Sequence, residues 1–103
     1  MTALHSGCEL SAAIVQYIGY GSAKCPSENP DAIRVAQGDV KAGQLIPVVE
    51  IVMKKLEGLQ PDWPTQSLVQ AGNWAKEQMR MQHPELTEDA LSALEWTFTW
   101  WWK

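Results

Sequence analysis

Apolar residues recur at helical spacing in five segments of this chain, and glycine or proline stands between them. In the first segment Leu10, Ala13, Ile14, Tyr17 and Ile18 follow the i, i+3, i+4, i+7, i+8 order of one buried helix face. Ser6-Gly7-Cys8-Glu9 before them has the S-x-x-E spacing of a capping box, in which Ser6 accepts from the Glu9 amide and Glu9 reaches back. Gly19 and Gly21 in "YIGYGS" then stop the helix, so the prediction is Gly7 to about Ile18. The second segment, "ENPDAIRVAQG", places Asn29 as N-cap, Pro30 at the first helical position and Gly38 after the end. Ile33 and Val35/Ala36 are its expected inward residues.

The third segment has two readings. The β-branched run from Ile46 to Val52 fits a buried strand. The preferred reading is a helix from about Pro47 to Glu57, because Val49, Val52, Met53, Leu56 and Leu59 keep one face. Lys54 and Lys55 fall late in it, where the helix dipole favours cations, and Gly58 and Pro61 follow. Asp39 is expected to cap a short separate turn before Gly43.

A fourth helix is predicted from about Thr65 to Gln82, with Asp62 or Pro64 at its start and Pro84 past its end. Its inward stripe of Leu68, Gly72, Ala75 and Met79, with Ala71 beside it, is mostly small. Such a stripe admits close approach of a neighbour that brings the bulk. The fifth helix runs from Glu88 to the end. Thr87 is its N-cap, Leu86 and Leu91 are spaced as a hydrophobic staple, and Glu88 and Asp89 occupy the first turn.

The fifth helix carries four of the six tryptophans. Ala90, Leu91, Leu94, Phe98, Trp101 and Trp102 share an arc of about 120°. Trp101 and Trp102 are therefore expected to fill the space over Gly72 and Ala75, each contributing up to about 4–6 kcal/mol by burial. Trp96 and Trp100 fall off that arc. Either the helix is packed on two sides, or the two form an exposed aromatic pair that meets a partner. A membrane-interface belt is the third reading, opposed by the acidic charge. Trp63, in the rigid turn "QPDWPT", is expected to cover the core, and Trp74 to occupy a second packing face.

Composition fixes the class. The chain has 103 residues, 46% hydrophobic and 19% charged, which suits one globular domain spanning residues 1–103 with an ordinary core. The expected fold is all-α: a single compact bundle of four to five short helices with a Trp-rich C-terminal helix. The formal charge is −4. Without clustered Lys and Arg it opposes nucleic acid and anionic membranes, and it suits a basic protein partner. No apolar run reaches the length of a membrane span, and the first ten residues lack the basic and apolar regions of a secretory signal, so the expected compartment is the cytoplasm. There Cys8 and Cys25 are expected as free thiols.

The chemistry is sparse. His5-x-x-Cys8 with Cys25 lacks the second tight pair of a structural zinc site, so no metal is expected. A cysteine nucleophile would have only His5 and His83 as bases. Glu28/Asp31 and Glu85/Glu88/Asp89 lie at helix starts, where acids are common anyway. No phosphate-cradling glycine motif is present, and a helix-turn-helix near residues 65–95 would have an unusual turn at Pro84 and no basic face. No cofactor is expected. The leading expectation is a non-catalytic protein–protein interaction module, of the small inhibitor, immunity-type or adaptor kind. Its contact to a basic partner would use Trp96 and Trp100 or the acids Glu85, Glu88 and Asp89. The alternatives are a ligand-binding or enzymatic helical domain lined by Trp63, Trp74 and Tyr17/Tyr20, and a homodimeric subunit joined through Trp96/Trp100.

Overall fold

After the first helix, each helix start among the described residues is set by a local hydrogen-bonding or steric device. The computed structural model describes residues 7–21 and 24–102. These form α1 (Gly7–Ile18), α2 (Pro30–Gln37), α3 (Asp39–Glu57), α4 (Leu68–Gln82) and α5 (Glu88–Trp101), and there is no strand among the described residues. The capping role expected of Ser6 lies outside the described residues.

α1 ends where expected. Ser27 then closes its C-terminus, its hydroxyl donating to the Tyr17 and Ile18 carbonyls at 3.0 Å and its amide to Ile18 at 2.8 Å. These contacts satisfy carbonyls that a helix end leaves without partners. α2 begins at Pro30 after Asn29, as the sequence indicates, although the Asn29 side chain makes no cap hydrogen bond. Its inward set is smaller than expected. Ile33 is buried, but Val35 is 88% exposed and Ala36 is also exposed. One turn on from Ile33 the inward position is held by Gln37, which donates to the Glu9 carbonyl and to Gln16. A helix of two turns packed by one face has no second face to bury.

The strand reading of residues 46–52 is excluded, and so is the start at Pro47. α3 is continuous from Asp39, with Gly38 alone joining it to α2 at φ 89°. That left-handed backbone is one glycine adopts without steric cost. Pro47 sits inside the helix and removes one hydrogen bond, which ordinarily breaks a helix. The helix persists because its buried face runs through the break: Ala42 and Leu45 before Pro47 continue into Val49, Val52, Met53 and Leu56. Pro47 itself is exposed. Tertiary burial overrides local propensity here.

α4 starts later than expected. Residues 62–66 form a turn of their own, in which Gln66 donates to the Asp62 carbonyl at 2.9 Å. The helix is opened instead by a capping box: Ser67 Oγ accepts from the Gln70 amide at 3.2 Å, and Gln70 Oε1 accepts from the Ser67 amide at 2.9 Å. α5 starts as expected, with Thr87 Oγ1 accepting from the Ala90 amide and with Leu86 and Leu91 both buried. The Thr87 amide also donates to the buried Ser11 hydroxyl at 2.9 Å, which ties α1 to the α5 start.

α5 packs against α4, α1 and α3, while α2 packs on α1 and α3. Ala90, Leu91, Ala93, Leu94, Thr97 and Phe98 are all buried, so α5 is covered on more than one side. The Thr97 hydroxyl is satisfied by donating to the Ala93 carbonyl at 3.0 Å. The small stripe of α4 meets α5 as expected, with Ala71, Gly72, Ala75 and Met79 buried. The bulk opposite it comes from different residues. A methyl group added at Gly72 would meet Thr99 Cγ2 at 2.6 Å and Glu95 Cγ at 3.4 Å. Trp101 and Trp102 are 37% and 44% exposed and do not fill the core. The reason is axial. The Ser11–Thr87 bond and the Tyr20–Trp96 ring contact show α1 running alongside α5 in the same direction and ending near Trp96. The last turn of α5 therefore extends past the α1 face that buries its earlier turns, and Trp102 is at the cap, off the helical rotation.

Candidate interaction surface

The overhanging end of α5 makes an aromatic terrace. Trp102 packs against Trp63 at 5.3 Å between ring centroids and against Phe98 at 6.4 Å. Trp63, held in the turn before α4, thus covers Trp102 rather than the core, and remains 36% exposed. Next to this terrace lies an open groove of about 530 Å³. Trp101, Tyr17, Met53, Ile51 and Pro47 supply its apolar lining, and Glu28, Glu50, Glu57 and Lys54 its charges. Trp101, Trp102 and Glu57 continue it as a shallower depression.

The local sequence explains the groove. Pro47, Glu50, Ile51, Lys54 and Glu57 recur along the outward stripe of α3 at helical spacing, with Ile51 exposed among charges. Tyr17 comes from the last turn of α1, and Glu28 from the connection closed by Ser27.

The electrostatics are one-sided. Six carboxylates elsewhere have a basic neighbour: Glu9 with Lys41, Asp31 with Arg34, Glu77 and Glu88 with Arg80, Glu95 with Lys76 at 3.9 Å, and Glu85 beside His83 at 3.5 Å, whereas the scattered Asp39, Asp62 and Asp89 have no salt bridge among the described residues. Among the described residues none of Glu28, Glu50 and Glu57 has such a pairing, and all three rim this groove against Lys54 alone. Burial raises the pKa of the Tyr17 phenol above its usual 10.0, and the Glu28 and Glu50 carboxylates raise it further. The lining is therefore apolar under a negative rim.

The residues singled out from sequence are distributed differently. Trp96 is half-buried against the core and packs on Tyr20 at 5.8 Å between centroids. Trp100, four residues on, is 42% exposed. The two therefore do not form a uniformly exposed pair. Glu85, Glu88 and Asp89 are all exposed, but they lie at the opposite end of α5, about 10 Å or more along its axis from Trp96. Arg80 holds Glu88 at 2.9 Å and lowers the pKa of its carboxyl below the usual 4.5. Tyr17, Tyr20, Trp63 and Trp74 do not share a pocket: Tyr17 lines the groove, Tyr20 meets Trp96, Trp63 meets Trp102, and Trp74 packs on the core.

Cys25 is exposed. Among the described residues no group of His, Cys, Asp and Glu is placed to hold a metal, and no helix is long and apolar enough to cross a membrane. His5 and the Cys8 side chain lie outside the described residues. The groove was missed because its lining spans three helices. The available signal was the lone Ile51 in the charged stripe of α3.

No protein-family model matches the chain, and neither a curated protein nor a solved structure matches it.

Proposed function

We propose that this protein is a non-catalytic interaction module of the inhibitor, immunity-type or adaptor class, and that it docks a basic protein on the tryptophan end of α5. The observation that supports this reading is the groove in which Trp101, Ile51 and Met53 lie beside three carboxylates that have no salt bridge among the described residues and only Lys54 as a cation in the lining. Exposed aromatic surface next to uncompensated charge is what a partner of opposite charge desolvates and fills. Trp side chains are enriched among the residues that dominate binding energy. The test is affinity capture from native-host lysate with wild type, Trp101→Ser/Trp102→Ser and Trp96→Ser/Trp100→Ser, each checked for folding by circular dichroism. A basic protein captured by wild type and by the Trp96/Trp100 variant, and lost with Trp101/Trp102, is the expected result. Capture lost only with Trp96/Trp100 moves the contact to the other face. No specific capture removes the reading.

A second reading is a cationic small ligand, because about 530 Å³ lies within the range of ligand sites. It requires binding by a small amine or guanidine as tight as that of the protein partner.

A further inference from the structure

The charges of the groove have a spacing as well as a sign. Glu50, Lys54 and Glu57 lie on one face of α3 at i, i+4 and i+7. Glu50 and Glu57 are therefore about 10 Å apart along the axis, with Ile51 between them. The whole lined stretch of α3, from Pro47 to Glu57, is about 15 Å long, or about three helical turns. Trp101 and Met53 add apolar surface beside it.

Resting on the reading above, we infer that the groove takes one amphipathic helix of the basic partner, lying along α3 with Lys or Arg side chains seven residues apart. Those cations meet Glu50 and Glu57, with Glu28 available to either. The apolar residues at i+3 and i+4 between them face Ile51, Met53 and Trp101. An occupant helix repeats its own face at the same seven-residue interval as α3, so both charge pairs form together only when the two helices run side by side. A second copy of this chain fits poorly. The molecule carries −4, Arg34, Lys41, Lys76 and Arg80 are already paired within it, and the other described cations, Lys24, Lys54 and Lys55, include no two spaced seven residues apart.

The probe is a fluorescein-labelled synthetic helix of about 16 residues, mostly alanine, with two lysines seven apart flanking leucines at i+3 and i+4. Controls are the same composition with the lysines on opposite faces, and a version with glutamates for the lysines. Binding is read by fluorescence anisotropy at about 0.05 M and about 0.5 M salt. The patterned peptide should bind at least about tenfold more tightly than either control, and weaken at high salt. Glu28→Gln/Glu50→Gln/Glu57→Gln should weaken it about tenfold or more. Lys54→Gln should strengthen it by a few fold, an effect that loss of structure cannot imitate.

Equal binding of the patterned and opposite-face peptides overturns the inference. So does a Lys54→Gln variant that binds the patterned peptide more weakly. If the Trp101/Trp102 variant still loses the basic protein in the capture experiment, such a peptide result removes the helix and leaves the interaction module. Failure of both experiments removes the two together. Self-association abolished by Trp101→Ala, with no peptide binding, gives the groove to a second copy and also overturns the inference.

Discussion

Replacing Gly72 with alanine tests how closely α4 and α5 approach. The new Cβ would lie 2.6 Å from Thr99 Cγ2, where carbon atoms ordinarily rest about 3.5–4.0 Å apart. Thr99 cannot easily yield. It is β-branched and stiff at χ1, and its hydroxyl donates to the Trp96 carbonyl at 3.0 Å. Either the helices part by about 1 Å or that hydrogen bond is lost. Overpacking of this kind costs about 1–3 kcal/mol, offset by about 1 kcal/mol from better helix propensity. The net destabilisation is about 0–2 kcal/mol, which alone does not discriminate. Thr99→Ser removes Cγ2 and keeps the hydroxyl, leaving Glu95 Cγ at 3.4 Å as the nearest contact. In that background Gly72→Ala should be neutral or stabilising by up to about 1 kcal/mol. Urea unfolding of the two single variants and the double variant therefore yields a coupling of about 1–3 kcal/mol, or about 4–12 °C in Tm. Coupling below about 0.5 kcal/mol would refute the close approach.

Further outcomes follow from the same packing. Phe98→Ala, at a fully buried site, should cost about 3–5 kcal/mol by urea unfolding, whereas Trp102→Ser, at a site 44% exposed, should cost distinctly less. Ser67→Ala should cost about 1 kcal/mol and increase amide exchange in the first turn of α4, because it removes the acceptor for Gln70. Tyr17 should ionise later than a free phenol in an ultraviolet titration, and Glu28→Gln/Glu50→Gln should bring its pKa part of the way down, since burial is the larger cause. Its folded-state pKa is raised. Its contribution to stability is therefore fully present below the unfolded value of 10.0 and is lost as pH rises through the folded value.

Much of the fold is written locally. Thr87 with Leu86 and Leu91 defines the start of α5, and Asn29-Pro30 with Gly38 brackets α2, because each device acts within a few residues. The all-helical class follows from the apolar periodicity those devices enclose. The first half of α3 was hidden because Pro47 and the β-branched run argue locally against helix, while Ala42 and Leu45 pack on the core only once the bundle forms. The capping box at Ser67 and Gln70 was readable in the sequence, but Asp62 and Pro64 competed with it as start signals. Trp101 shows a different limit. A helical wheel gives the direction of a side chain, and not whether a neighbouring helix extends far enough to cover it. The groove needed Tyr17, Glu28 and Trp101 brought to α3 from three separate places, which no single periodicity encodes.

The six tryptophan indole N–H groups offer the most direct test of where a partner sits. In a nitrogen–proton correlation spectrum, assigned by single Trp→Phe variants, the captured basic partner or the patterned peptide is titrated into labelled protein. The expected result is a shift of the Trp101 and Trp102 signals, with Trp63 following through its contact with Trp102 and with Trp74 and Trp96 unmoved. Movement of Trp96 and Trp100 with Trp101 unmoved would put the interface on the other face of α5 and contradict the groove.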